Sequence, residues 1–218
     1  MTDWDTNYRE TQNVFGADPA PILVRHADLL MDGLPILDVG CGQGRNSFFL
    51  ARLGHEVHAL DPSTVAVQQT AAVAAAEGLQ ITTQVGVIED VHRPENGFGA
   101  ILVFGLIPIL TRAQIDAMVA SIGSLIAPGG LLFITAFTTE DPKIEAHGGP
   151  RKPSEYDHGS RTYLEPDELR SLLPGWQIVD YWEGLGPEHR HGDGPMERHG
   201  LAEAVFRESE ECEMNNEK

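Results

Sequence analysis

The stretch ILDVGCGQGRNSFFLARLGHEVHALDPS, residues 36–63, concentrates the residues most able to hold a ligand. Asp38 ends a short apolar run, Gly40, Gly42 and Gly44 follow at every second position, and Asp61 closes a second apolar run. A glycine turn between a strand and a helix leaves the backbone bare, so a ligand can lie against it near the helix N-terminus. In a dinucleotide fold that ligand is a pyrophosphate, and the spacing is GxGxxG. Here the spacing is GxGxG, with a carboxylate two residues ahead of the first glycine. A carboxylate sits badly beside a pyrophosphate and suits an ammonium group. Asp61 stands about 20 residues further on, where an acid commonly holds a ribose diol. The two acids together fit a nucleoside that carries a cationic amino-acid tail.

The histidines form a second set. His147 and His158 lie within residues 138–162, and His189, His191 and His199 flank the last long connection. His-x-His on an extended segment puts both rings on one face. That geometry admits three readings: a contact or proton acceptor for a substrate, a metal site, or polar surface. His189 and His191 are taken as the substrate-side pair, and no metal is assigned. Arg151, Lys152, Arg161 and Arg190 share these segments and would suit a small anionic substrate. Cys41 sits on the glycine turn and invites a nucleophile reading. Only two cysteines are present, Cys41 and Cys212, so a disulfide framework is not expected and a reducing cytoplasm is.

The elements that must position these groups alternate between strand and helix. PILDVG, EVHALD, ITTQVGV, FGAILVFG and LLFITAF are short apolar runs of the parallel-strand kind. Between them lie GRNSFFLARLGH, the alanine-rich STVAVQQTAAVAAAEG with Ser63 as its N-cap, and TRAQIDAMVASIGSLIAPGG, a helix expected to close at its Pro-Gly-Gly. A short helix is expected over 166–173, and WQIVDYWEG and LAEAVFRE alternate as two late strands that would form an antiparallel edge. The fold class is therefore α/β: a Rossmann-like, seven-stranded, mostly parallel sheet with helices on both faces and an antiparallel C-terminal edge. Residues 1–207 are read as a single domain, with 1–34 a helical N-terminal lid and 138–162 an insert loop. The acidic tail 208–218 is expected to be disordered.

Formal net charge is −18, with three lysines among fifteen basic residues. Such a field repels polyanions, so nucleic acid is not expected as a partner. No apolar run reaches the roughly 20 residues a membrane helix needs, and the polar, acidic start is no signal peptide. The expectation is a cytoplasmic protein without membrane contact, monomeric or homodimeric, acting on a small molecule.

With these residues in place, the sequence resembles the class I S-adenosylmethionine-dependent methyltransferases over about residues 33–137. LDVGCGQG is similar to that family's first motif, and ALDPS to the acidic end of its second strand. The longer string GCGQGRNSFFLARLGHEVHALDPS is most similar to the tellurite-resistance and related small-molecule methyltransferases. The resemblance implies that Asp38 binds the methionine amino group, that Gly40, Cys41 and Gly42 supply backbone contacts, and that Asp61 grips the ribose hydroxyls. Pro62 or Ser63 would lie beside the adenine, and Asn46 would open the helix, either capping it or bonding locally. Many relatives place an aspartate at the end of the third strand, where this chain has Val87. Glu89 and Asp90, with the backbone amide of Val91, are the substitutes to read the adenine. The fourth strand would aim Phe104 and its neighbours at the reactive methyl, and FGLIP lacks the Asn/Asp-Pro-Pro-aromatic motif of enzymes that methylate DNA bases. Tyr8, in the lid with Trp4 and Phe15, could meet the sulfonium by cation–π attraction or pack in the core. The implied function is methyl transfer from S-adenosylmethionine to a small acceptor: a thiol, a selenium or tellurium oxyanion, or an amine. The alternatives are an S-adenosylmethionine-binding module without turnover and a nicotinamide-dependent oxidoreductase.

Overall fold

The computed structural model describes residues 4–144, 161–188, 196 and 198–209. Strands β1 (Ile36–Val39), β2 (Val57–Asp61), β3 (Ile81–Val85), β4 (Phe98–Val103) and β5 (Ile126–Phe137) are parallel, and β6 (Gln177–Leu185) and β7 (Gly200–Arg207) complete one sheet. The order is β3-β2-β1-β4-β5-β7-β6, with β7 antiparallel to both its neighbours. The sheet is thus the seven-stranded, mostly parallel one expected. Chain order reverses between β1 and β4, so the crevice beyond their carboxyl ends is where such a sheet takes its ligand.

Every residue of β1 and β4 is buried, because helices cover both faces of the sheet centre. On one face Leu37, Val39, Ile101, Val103, Leu132 and Ile134 pack against Ile115, Met118 and Ile122 of helix α5 (Arg112–Leu125). On the other, Ile36, Ala100, Leu102, Leu131 and Phe133 pack against Ile22 and Leu23 of helix α2 (Pro21–Arg25) and Leu50 of helix α3 (Arg45–Arg52). Helix α1 (Trp4–Glu10), helix α4 (Thr64–Glu77) and the one-turn α6 (Glu168–Ser171) complete the set.

Two boundaries differ from expectation. The Pro-Gly-Gly after α5 does not stand between helix and strand: α5 ends at Leu125, and Ile126 already belongs to β5. The pairing of β5 with β4 shifts register between Phe98 and Ala100, and this irregularity accommodates Pro128, which has no N–H to give the ladder. At the other end, Glu208 and Ser209, counted with the tail, are packed. The Glu208 amide donates to Gly130 (2.9 Å), its carboxylate accepts from the Gly129 amide (3.0 Å), and the Ser209 hydroxyl donates to the Gly175 carbonyl. Residues 210–218 lie outside the described residues. Among the described residues no helix is long and apolar enough to cross a membrane.

Candidate cofactor and acceptor site

The glycine turn is built on two buried carboxylates. Asp38, 2% exposed, sits on the α3 face of β1, and its Oδ2 accepts from the Ser47 hydroxyl at 2.6 Å. Burial without a cationic partner in bonding contact pushes its carboxyl up to about 6, against which the Ser47 bond works. Asp61 accepts from two backbone amides, Gly42 at 2.8 Å through Oδ2 and Ser63 at 2.8 Å through Oδ1. Its carboxyl is also raised by burial, and the two amide bonds oppose the shift. The Gly40 and Cys41 amides both donate to the Leu60 carbonyl, which draws the turn against the end of β2. Gly40 has φ +70° and Gly42 φ +53°, and a Cβ on Gly40 would stand 2.6 Å from Leu106 Cδ2. Burial pushes the Cys41 thiol well up, so it holds its proton and is no nucleophile.

Tertiary structure adds a strap of N-terminal residues over this turn. Gln43 holds it: its Oε1 accepts from the Val14 amide (2.9 Å), and its Nε2 donates to Thr11 O (3.0 Å) and Gln69 Oε1 (3.0 Å). Gln69 Nε2 in turn donates to Tyr8 O at 2.9 Å, and Arg45 donates to Phe15 O at 2.8 Å. Asp5 accepts from the Ser63 hydroxyl (2.5 Å) and the Val65 amide (3.3 Å), so a lid residue joins Ser63 in capping α4. Asn46 does not bond locally as its helix-opening position suggested. Its Oδ1 accepts from the Ala20 amide at 2.9 Å, tying α3 to the start of α2. Tyr8 is 6% exposed and stacks on Trp4 with ring centroids 5.6 Å apart. Its hydroxyl faces Gly42, where an added Cβ would stand 3.1 Å away, and burial beside Asp61 raises its phenol. Removing the Gln43 side chain (Gln43→Ala) deletes three of these bonds and should free the strap. The expected result is loss of protection of the Val14 amide, read by hydrogen exchange, with a stability cost of about 1–3 kcal/mol.

The remaining expected residues are placed less centrally. Glu89 and Asp90 are exposed on a 3-10 turn after β3, with the Asp90 carboxylate accepting from the Val87 amide at 3.1 Å. The Val91 amide closes on Ile88 O at 3.2 Å. Phe104 follows β4 directly, half-buried, on the same sheet face as Asp38. His189 and His191 lie outside the described residues, as do His147, His158, Arg151, Lys152 and Arg190. Among the described residues no group of three or more His, Cys, Asp or Glu could hold a metal ion.

A second wall is assembled from residues distant in sequence. The segment Arg161–Leu164 bonds to the loop after β4, through Thr162 to Pro108 O and Leu110 O, and to the end of β5, through the Leu164 amide to Phe137 O. Arg112 fixes it further, donating to Tyr163 O at 2.8 Å. His199, just before β7, stacks on Phe137 with centroids 4.3 Å apart, and its Nδ1 pairs with Asp141 Oδ2 at 2.7 Å. This cluster closes the same end of the sheet as the glycine turn, three strands away.

Residues 36–130 match the family described as "Methyltransferase domain". The chain is 31% identical over 153 residues to the ubiquinone biosynthesis O-methyltransferase of Caulobacter sp. (strain K31), a match covering 66% of this chain and 59% of that protein. It is 27% identical over 156 residues to the probable S-adenosyl-L-methionine-dependent methyltransferase TehB of Haemophilus influenzae (strain ATCC 51907 / DSM 11121 / KW20 / Rd), covering 71% of this chain and 50% of that protein. The chain therefore spans between half and three fifths of the length of these curated relatives. The crystal structure of Haemophilus influenzae TehB superposes with a TM-score of 0.73 at 20% identity, over 94% of this chain and 67% of that one. Burkholderia thailandensis 1,6-didemethyltoxoflavin-N1-methyltransferase, solved with 1,6-didemethyltoxoflavin and S-adenosylhomocysteine bound, superposes at 0.67 with 21% identity, over 95% of this chain and 86% of that one. The acid-flanked GxGxG turn, the sheet order and these matches agree: residues 36–130 match a methyltransferase domain, and the chain is similar over that span to the class I S-adenosylmethionine-dependent methyltransferases.

Proposed function

We propose that this protein transfers a methyl group from S-adenosylmethionine to a small-molecule acceptor. The observation that carries the reading is the pair of buried carboxylates at one glycine turn, Asp38 with its raised carboxyl and Asp61 clamped to the Gly42 and Ser63 amides. An uncompensated buried carboxylate is costly unless a cation joins it, so Asp38 fits the ammonium of the cofactor's methionine tail. Asp61, with both oxygens aligned by backbone, keeps lone pairs for two ribose hydroxyls. Pro62 and Ser63 border the adenine, with Glu89, Asp90 and Val91 at its far side.

Bound there, S-adenosylmethionine supplies an electrophilic methyl carbon on a sulfonium, so the protein need not form a covalent intermediate. What this chain contributes is orientation and exclusion of water. Tyr8 roofs the turn at Gly42, Phe104 lines the floor beyond β4, and Gln43 and Arg45 hold the strap shut. Holding the acceptor in line lowers the barrier by proximity and desolvation. His189 and His191 keep the acceptor-side role read from their spacing, and the acceptor candidates remain thiols, chalcogen oxyanions and amines, joined by hydroxyls.

Isothermal titration with S-adenosylhomocysteine, with NAD as control, tests the reading: binding of the first alone supports it, and binding of NAD instead overturns it. Asp61→Ala should weaken S-adenosylhomocysteine by about 1–3 kcal/mol, the cost of losing a charged hydrogen-bond partner. Unchanged affinity would remove Asp61 from the site.

A further inference from the structure

The opening at the carboxyl end of the sheet holds a polar group that cofactor binding does not use. Thr135 is half-buried near the end of β5, and its Oγ1 accepts from the Gly105 amide at 3.1 Å. A hydroxyl whose oxygen accepts still has its own proton to give. Among the described residues no acceptor is bonded to that proton. Glu203 stands directly opposite Thr135 in the β5–β7 register, but its carboxylate is turned to Arg25 at 2.9 Å. Gly105 is exposed, and a Cβ built on it would meet nothing within 4 Å, so the space beside this hydrogen bond is open. Its φ of +71° keeps that space clear, because a residue with a side chain would be strained there.

Strand alternation puts Thr135 on the cofactor's side of the sheet. Asp38 shares its face with Ile36, and Leu102 and Phe133 continue that face across β4 and β5. Two residues further along, the same face carries Phe104 and Thr135. Asp38 and Thr135 are thus two strands and two residues apart, about 12 Å at ordinary strand dimensions. Leu106, next to Gly105, lies against Gly40, so the opening adjoins the glycine turn directly. The far side is taken: the Phe137 ring already carries the His199 ring, with centroids 4.3 Å apart, and the Arg161 guanidinium at 5.5 Å. The interval between Asp38 and Thr135 accommodates the sulfonium end of the cofactor with a small molecule beyond it.

We propose that Thr135 is a specificity-determining residue: its hydroxyl donates to a carbonyl oxygen of the methyl acceptor, which lies over Gly105 with the atom to be methylated toward the glycine turn. This deepens the methyltransferase reading and rests on it. The acceptor is a neutral carbonyl compound. Asp38 and Glu203 place two carboxylates on this face of the sheet, which disfavours an anion, and the sulfonium disfavours a cation. A hydroxyl meets a neutral carbonyl oxygen with no charge to desolvate. The bond from the Gly105 amide fixes where the Thr135 oxygen stands, so the position of the donated proton is largely set before the acceptor arrives. An acceptor lacking the carbonyl would expel water from the hydroxyl and leave it unpaired, and discrimination comes from that cost.

The test uses the full chain, methyl-labelled S-adenosylmethionine and matched pairs of probes: 4-hydroxyacetophenone with 4-ethylphenol, nicotinamide with pyridine, and 4-mercaptobenzamide with thiophenol. Thr135→Val should lower kcat/KM for the carbonyl member about three- to tenfold relative to its partner, the worth of a neutral hydrogen bond. The loss should sit in KM, because the bond already exists in the bound ground state. Thr135→Ser, which keeps the hydroxyl, should preserve the wild-type ratio. A residue that only held Gly105 in place would lower both members alike, so an unchanged ratio in Thr135→Val overturns the proposal. Infrared spectra of the carbonyl probe, bound to wild type with S-adenosylhomocysteine, give a readout free of any substitution: its carbonyl stretch should lie below the value in an aprotic solvent. A stretch at the aprotic position, or turnover of none of the carbonyl probes by wild type that still binds S-adenosylhomocysteine, would also overturn it. Failure of wild type to bind S-adenosylhomocysteine would instead overturn the methyltransferase reading beneath it.

Discussion

Asp38→Asn should stabilise the ligand-free protein above neutral pH and at the same time weaken S-adenosylhomocysteine about tenfold or more. Asparagine keeps the shape of the side chain and can still accept from the Ser47 hydroxyl through its amide oxygen. What disappears is a charge buried at the end of β1. For a carboxyl raised from 3.8 to about 6, the native state binds more protons than the unfolded chain within that window. Stability contributed by this group is therefore present at low pH, falls as pH rises through the window, and levels off above it. The charged form costs about 3 kcal/mol at pH 7.5. Thermal denaturation should show the variant melting several degrees higher at pH 7.5, with the difference shrinking toward pH 4. Binding should move the other way, because an ammonium gains from the carboxylate what the amide cannot give, about 1.5–3 kcal/mol. For the same reason wild-type affinity should rise as pH climbs from 5 to 7. A variant that melts lower at pH 7.5 would show that the Ser47 bond outweighs desolvation. Flat affinity would mean that the carboxylate faces no cation.

The second large effect is expected at Gly40. Its φ of +70° costs an L residue about 1–2 kcal/mol, and a Cβ there would meet Leu106 at 2.6, 3.0 and 3.1 Å. Overpacking adds about 1–3 kcal/mol, so Gly40→Ala should cost about 2–5 kcal/mol. For a chain of this size the melting temperature would drop by about 5–15 °C. Because Leu106 also leads into the segment beyond β4, the substitution should disturb cofactor and acceptor sides together. Adding Leu106→Ala tests the cause. If the clash contributes, the double variant recovers part of the loss, whereas a strain confined to the backbone would leave it unrelieved.

Much of this site was written locally in the chain. The strand-turn-helix order, the GxGxG spacing, the carboxylates ending two strands and the Ser63 cap all depend on residues close in sequence. Backbone sterics and strand periodicity act at that range, so the seven strands and the antiparallel edge could be anticipated. The Pro-Gly-Gly after α5 was misplaced for a related reason. Breakers mark where a helix stops, but whether the next residues join a strand depends on a partner, here Phe98 of β4, which local pattern does not contain.

What only the tertiary structure decided are pairings between distant residues. Asn46 meets Ala20 across 26 positions, Gln43 gathers Thr11, Val14 and Gln69, and Asp141 finds His199 across 58. None of these carries a spacing signal, because each pair is brought together by the packing of separate elements and not by the geometry of one element. Ser47 is the intermediate case. It lies on the inward side of α3, where a buried hydroxyl needs a partner, but the identity of that partner depends on α3 packing over β1. The sequence by itself thus determined the cofactor turn, since a glycine's φ and a strand's end are local properties. The folded sheet determined the cluster beyond β5, since it alone sets β7 beside the end of β5 and so brings His199 to Asp141.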